Sequence, residues 1–85
     1  MKEIHIRILY FAFLKDLTGV RSDTMKLPFG STIHNLLTNI LKIYPQINSN
    51  LLKLIKVSVN YKIVDAKTIL KDGDEVALLP PISGG

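Results

Sequence analysis

One amphipathic stripe in the middle of the sequence constrains the fold more than any other feature. Its apolar residues recur at the spacing i, i+3, i+4, i+7, i+8, i+11 and are Ile33, Leu36, Leu37, Ile40, Leu41 and Tyr44. This period places them on one face of an α-helix. Thr32, or Ser31 one residue earlier, is the expected N-cap, and Pro45 is expected to end the helix. A helix of this kind must bury its apolar face against another layer.

Strand-like segments lie on both sides of this helix. The first segment alternates apolar and polar residues, and its apolar set is Ile4, Ile6, Ile8 and Tyr10. A second segment, residues 21–27, places Asp23, Met25 and Leu27 on one side and is expected to pair antiparallel with the first. Between them, residues 11–17 are expected to form either a turn of helix or a tight loop.

Two further strands are expected after the helix. Residues 57–59 and 63–64 form a hairpin through a turn at 60–62, and residues 75–79 follow the strong turn signal Asp72-Gly73-Asp74. Ile69 and Leu70 are expected to plug the core. Residues 51–56 are compatible with a short helical turn or with irregular packing, and the pattern does not separate these alternatives.

The element order ββαββ predicts an α+β fold. One main helix on one face of a mixed sheet buries both apolar stripes, and a right-handed crossover puts the first and last strands parallel and adjacent. This is the β-grasp, or ubiquitin-like, arrangement. The expected division is a β-grasp domain at residues 1–81 and an extended C-terminal tail at 82–85.

This architecture leaves one face of the sheet without a helix. By strand parity, that face is expected to carry His5, Arg7, Leu9, Phe11, Ala77 and Leu79. An exposed and partly apolar sheet face near the end of the last strand is a candidate docking surface.

The tail is the most distinctive stretch of the sequence. Pro80 and Pro81 cannot donate hydrogen bonds to a sheet, so they should end the last strand. Gly84 and Gly85 carry no side chains and would fit a narrow channel. The α-carboxylate of Gly85 is then the one reactive group at the tip, and we expect this tail to be inserted into another protein and modified there.

Composition excludes several classes of function. The 85 residues include no cysteine, so the chain cannot carry sulfur as a thiol and has no thiolate nucleophile; this also fits a cytoplasmic protein. The net charge of +4 comes from scattered lysines, which predicts no nucleic-acid arm. No apolar run approaches the ~20 residues of a membrane span.

Metal and acid–base sites are not expected. His5 and His34 are the only histidines, and nothing in the sequence places a carboxylate beside either of them at catalytic or metal-ligand spacing. Asp72, Asp74 and Glu75 are interpreted as a turn with solvated charges. No residue is therefore expected to act as a catalytic group, and no metal ligand is expected.

Several stretches of the chain resemble one family. Residues 8–19, Val59-Asn60, residues 70–76 and the tail 79–85 are similar to MoaD-like proteins, the small subunit of molybdopterin synthase. The resemblance spans nearly the whole chain in the same order, and the tail is its most specific part. Lys15, where arginine is common, and the aliphatic pair Leu78-Leu79, where aromatics are frequent, depart from the family pattern.

The resemblance implies a sulfur carrier. An activating enzyme would adenylate Gly85 with ATP and magnesium, and a persulfide donor would convert it to a thiocarboxylate. The tail would then thread into the large subunit of a heterotetramer and give its sulfur to a cyclic pterin phosphate precursor. The chain itself would bind no cofactor. By analogy, the partner interface would comprise Phe11, Ile63, Leu79, Pro80, Pro81 and Ile82, with Ser83, Gly84 and Gly85 in the channel.

The sequence is compatible with other functions. The same tail would serve a sulfur carrier for thiazole synthesis or tRNA thiolation, or a ubiquitin-like modifier of protein lysines. A small basic interaction or RNA-binding module is a third class. It would need aromatic platforms with clustered Lys and Arg on the sheet, and only Phe11 and Arg7 indicate this.

Overall fold

The computed structural model describes residues 2–81 of the chain. Within this range the elements are β1 (Glu3–Tyr10), α1 (Phe13–Thr18), β2 (Ser22–Pro28), α2 (Ile33–Ile43), α3 (Ser49–Leu54), β3 (Lys56–Val59), β4 (Lys62–Val64) and β5 (Glu75–Leu79). The tail positions Ile82, Ser83, Gly84 and Gly85 lie outside the described residues. Over residues 2–81, no helix is long and apolar enough to cross a membrane.

The strands form one mixed sheet in the order β2-β1-β5-β3-β4. β1 pairs antiparallel with β2 and parallel with β5, and β3 pairs antiparallel with both β5 and β4. The predicted parallel contact between the first and last strands is therefore confirmed, and β5 is the central strand of the sheet. This topology is the β-grasp arrangement expected from the sequence.

The core lies between the sheet and α2. Alternate residues of β1 and β5 face it, and Ile33, Leu36 and Ile40 enter it from the helix. The buried strand residues in this core are Ile4, Ile6, Ile8, Tyr10, Met25, Leu27, Val57, Val76 and Leu78. The apolar faces predicted from the period of 2 residues in the strands and of 3.6 residues in the helix thus pack against each other in one core.

Helix α2 begins where the sequence predicts. The Thr32 hydroxyl accepts a hydrogen bond from the Asn35 N–H at 3.3 Å, and the Asn35 side chain accepts one from the Thr32 N–H at 2.9 Å. This reciprocal capping box satisfies two backbone donors that the first helical turn leaves without partners. The helix ends at Ile43, with Tyr44 as its C-cap before Pro45.

The two segments left open by the sequence are both short helices. α1 ends at Gly19, whose φ of 79° is the left-handed conformation that glycine adopts without strain. α3 begins after Asn48, whose side chain accepts the Leu51 N–H at 2.8 Å. Ile47, between α2 and α3, is fully buried and fixes this connection to the core.

The expectation that Ile69 plugs the core is wrong. Leu70 is buried as expected, but Ile69 is 62% exposed. Ile69 forms a β-bridge with Thr32, so the backbone here is extended, and successive side chains point in opposite directions. Only one of the two neighbours can therefore enter the core.

A polar network joins β1, β2 and the end of α2. The carboxylate of Asp23 accepts hydrogen bonds from the Tyr10 hydroxyl at 3.0 Å and from the Tyr44 hydroxyl at 2.5 Å. Burial, together with Asp23, raises the pKa of Tyr10 far above its ordinary value. The hydrogen bond to Asp23 is the main cause that raises the pKa of Tyr44. Both hydroxyls therefore stay protonated as donors over the physiological range.

Candidate functional site

A row of side chains crosses the helix-free face of the sheet. Leu9 on β1 pairs with Ala77 on β5, Ala77 pairs with Ser58 on β3, and Ser58 pairs with Ile63 on β4. Directly paired residues point to the same side of a sheet, so these four side chains form one line. We call this row, together with Phe11, Tyr61 and Leu79, the docking face.

The docking face is apolar and open to solvent. It surrounds a shallow cavity of about 260 Å³ lined by Leu9, Phe11, Ser58, Tyr61, Ile63, Glu75, Ala77 and Leu79. Ile63 is 60% exposed, and Phe11 is also exposed. The structure therefore brings together three of the residues that the resemblance assigned to a partner interface: Phe11, Ile63 and Leu79.

The chain leaves the sheet beside this face. Leu79 is the last residue of β5 and pairs with Lys56 of β3. Pro80 is half-buried, and Pro81 is exposed. The predicted end of the last strand at the prolines is confirmed. A segment that continues beyond Pro81 thus starts from the centre of the sheet, next to the docking face.

Sequence reasoning missed Tyr61 as a member of this face. It sits in the turn between β3 and β4, where Asn60 has φ 50° and Tyr61 has φ 74°. Two consecutive positive φ angles define the tight hairpin turn in which asparagine is common at the first position. Asn60 was the signal in the sequence, because asparagine favours the first position of a two-residue hairpin turn. Tyr61 then takes the second position, and its side chain lies next to the β3–β4 pair.

Charged residues on β1 and at the start of β5 lie next to the docking face. Arg7 Nε lies 4.0 Å from Glu75 Oε2, an exposed pair of the kind that contributes little stability. One contact that the sequence does not show joins His5 and Asp72, with His5 Nδ1 3.4 Å from Asp72 Oδ1. The reason is topological, because the turn before β5 lies alongside β1 in the parallel pairing.

Asp72 acts chiefly on the backbone. Its Oδ1 accepts a hydrogen bond from the His5 N–H at 2.7 Å, and this bond is the main cause that lowers the pKa of Asp72. The neighbouring Asp74 accepts the Lys71 N–H at 2.8 Å and the Asn60 side-chain amide at 2.9 Å. Both carboxylates thus brace the turn into β5. Among residues 2–81, no group of three or more His, Cys, Asp or Glu side chains could hold a metal ion.

The sequence model of the ThiS family matches residues 8–85, which is nearly the entire chain. The chain belongs to the ThiS family. The match includes β5, the two prolines and the terminal glycines, and it therefore covers every residue that the sequence assigned to the tail.

Individual relatives agree with this family. The chain is 38% identical over 84 residues to the molybdopterin synthase sulfur carrier subunit of Chlamydomonas reinhardtii, covering 96% of this chain and 100% of that one. Its fold is similar to that of a putative molybdopterin converting factor, subunit 1, from Pyrococcus furiosus, with TM-score 0.84, 27% identity and coverage of 93% and 99%. SAMP1 from Haloferax volcanii is similar too, with TM-score 0.85, 25% identity and coverage of 95% and 99%.

Proposed function

We propose that this chain is the sulfur-carrier subunit of a molybdopterin synthase. The observation that carries the proposal is the alignment of nearly the whole chain with a relative of that name at 38% identity. The fold supports it, because the central strand β5 leads toward the tail beside an exposed apolar face. In this role the chain supplies a sulfur atom and a docking surface, and it contributes no catalytic side chain.

The reactive group in this proposal is the C-terminal carboxylate of Gly85. A carboxylate repels nucleophiles and has no good leaving group. A separate activating enzyme, which holds ATP and magnesium, therefore adenylates Gly85 and releases pyrophosphate. The resulting acyl-adenylate is electrophilic at the carbonyl carbon and expels AMP when it is attacked.

Sulfur enters from a persulfide on another protein. The terminal persulfide sulfur attacks the Gly85 carbonyl carbon, forms the C–S bond and displaces AMP. A thiol then cleaves the S–S bond of this acyl disulfide, which leaves a thiocarboxylate at Gly85. Because the chain has no cysteine, none of its own side chains can compete for the sulfur at this step.

Transfer takes place inside the large catalytic subunit. The docking face binds that subunit through Phe11, Ile63 and Leu79, with Pro80, Pro81 and Ile82 at the entrance of its channel. The six residues 80–85 can extend over about 20 Å, long enough to reach an active site well below the surface. Ser83 and Gly84 lie extended in the channel, and the thiocarboxylate of Gly85 attacks the cyclic pterin phosphate precursor.

Intact-mass analysis tests the first half of this proposal. After incubation with ATP, magnesium, the activating enzyme and a persulfide donor, one oxygen at the C-terminus should be replaced by sulfur. Adding the large subunit and the pterin precursor should then remove that sulfur. Chains lacking Gly85, or carrying one extra alanine after it, should fold normally and gain no sulfur. Normal charging of the shortened chain would contradict the tail mechanism.

A protein modifier is the second candidate function. The similarity to SAMP1 of Haloferax volcanii, a small archaeal modifier protein, favours it. A modifier would use the same activated carboxylate of Gly85 but transfer it to a lysine amine. The two functions separate when the adenylated chain is followed. As a sulfur carrier of molybdopterin synthase it takes up sulfur, which the pterin precursor then removes; as a modifier it forms an amide bond between Gly85 and a lysine amine of another protein, with AMP as the leaving group. Carriers for thiazole or tRNA thiolation would do neither.

A further inference from the structure

Tyr61 has a backbone conformation that its side chain disfavours. Its φ of 74° lies in the left-handed region, where the Cβ atom of an L-residue crowds the backbone. Glycine adopts this conformation without strain, and asparagine tolerates it. A bulky aromatic residue at such a position is an outlier, and outliers of this kind cluster at functional sites.

The turn that imposes this conformation is firmly attached to the central strand. The Asn60 N–H donates to the Glu75 carbonyl at 2.9 Å, and the Glu75 N–H donates to the Asn60 side-chain oxygen at 3.0 Å. The Asn60 side-chain amide also donates to Asp74 at 2.9 Å. The backbone that carries Tyr61 is therefore already ordered in the free chain, and only the side-chain torsions of Tyr61 lose freedom when a partner binds its ring.

The ring of Tyr61 does little for the folded chain. The residue is 92% exposed, and over residues 2–81 its hydroxyl makes no hydrogen bond. The ring nevertheless lines the same shallow cavity as Phe11, Ile63 and Leu79. An exposed aromatic residue that lies next to an apolar face and is carried by an ordered turn is typical of the residues that contribute most to the binding energy of an interface.

We infer that Tyr61 anchors the chain to the large catalytic subunit and that the strained turn exists to present its ring. The inference rests on the proposed function and adds a contact absent from the interface that the sequence suggested. Continuity with the docking face determines the partner, because a protein that covers Phe11, Ile63 and Leu79 must also meet the neighbouring ring of Tyr61.

Replacing Tyr61 by the residue that the turn prefers tests this directly. Tyr61→Gly removes both the ring and the strain. Tyr61→Asn also removes the ring, and asparagine is a residue that tolerates the same φ. Isothermal titration with the large subunit should give a Kd at least tenfold higher for both variants than for the wild-type chain. The Tm of Tyr61→Gly should stay equal or rise, by up to about 8 °C. The loss of affinity should thus occur without a loss of stability.

Phe29→Ala provides the matched control. Phe29 is also an exposed aromatic residue, at 73%, but its N–H bonds to the Lys2 carbonyl at the start of β1, outside the docking face. Its Kd should equal that of the wild-type chain.

The possible failures are distinguishable. Wild-type affinity in both Tyr61 variants would overturn the inference and leave the proposed function intact. A lower Tm in both would overturn the strain argument. Failure of the wild-type chain to bind the large subunit would overturn the inference together with the proposed function.

Discussion

The substitution Ile63→Ala measures how much the docking face contributes to partner binding. Ile63 lies on β4 opposite Ser58, and 60% of it remains exposed in the free chain. The substitution removes three carbons, each of which contributes about 0.8 kcal/mol when it is fully buried. If the partner buries the exposed 60%, the lost binding free energy is about 1.4 kcal/mol, which is about tenfold in Kd.

The same reasoning gives the effect on the fold. The part of Ile63 that is already buried in the free chain corresponds to about 1 kcal/mol for the same three carbons. The Tm should therefore fall by about 4 to 8 °C, and the chain should stay folded at room temperature. Kd is measured by titration calorimetry with the large subunit, well below the Tm of the variant.

Ile43→Ala is the control for this experiment. It removes the same atoms from a residue that is 56% exposed but lies at the end of α2, on the opposite side of the sheet. We expect no change in its Kd. Equal Kd values for Ile63→Ala and the wild-type chain would refute burial of the docking face. Equal losses from both variants would show that the effect is not local to that face.

Two further predictions concern pH. Because folding raises the pKa of Tyr10 and Tyr44 above the ordinary value of 10.0, their contribution to stability is complete below that pH and is lost as the pH rises beyond it. Urea unfolding between about pH 8 and 12 should show that the free energy of unfolding falls less with rising pH in the Tyr10→Phe/Tyr44→Phe variant than in the wild-type chain. At neutral pH the variant should be about 1–2 kcal/mol less stable. An equal dependence on alkaline pH in both proteins would contradict this reasoning. Folding lowers the pKa of Asp72, so its contribution is present above the ordinary value of 3.8 and is lost as the pH falls through the lower folded value. Asp72→Asn should reduce the loss of stability in acid unfolding between about pH 2 and 5, and a slope equal to that of the wild-type chain would count against the His5–Asp72 hydrogen bond.

Most of the fold could be predicted because its two hydrophobic periods are regular. The stripe from Ile33 to Tyr44 and the alternation of β1 each determine which side chains face the core. The antiparallel and parallel pairings then follow from the element order. The position of Thr32 as N-cap followed from its place just before the stripe.

Short elements were not predictable in the same way. α1 and α3 are six residues each, too short for a hydrophobic period to separate a helix from a loop. Their ends are instead set by single residues, Gly19 and Asn48, whose effect depends on local geometry. Ile69 and Leu70 illustrate the same limit, because two adjacent apolar residues do not reveal which one points inward.

The candidate site was predicted in part. Parity placed Leu9, Ala77 and Leu79 on one face correctly, because strand geometry fixes it. The contact between His5 and Asp72 was missed because it joins residues 67 positions apart in sequence. The Asp23 network also has a signal in the sequence, because Asp23 shares one side of its strand with Met25 and Leu27, and an inward-facing carboxylate requires hydrogen-bond donors.

The central position of β5 has a mechanical consequence. A pull applied beyond Pro81 in the direction of β5 acts on a strand that is hydrogen-bonded to β1 on one side and to β3 on the other. Ladder bonds lie across the strand direction, so such a force loads both ladders together instead of peeling them open one bond at a time. If a partner binds the tail as proposed, a force that it exerts along β5 should therefore not unfold the domain one strand at a time.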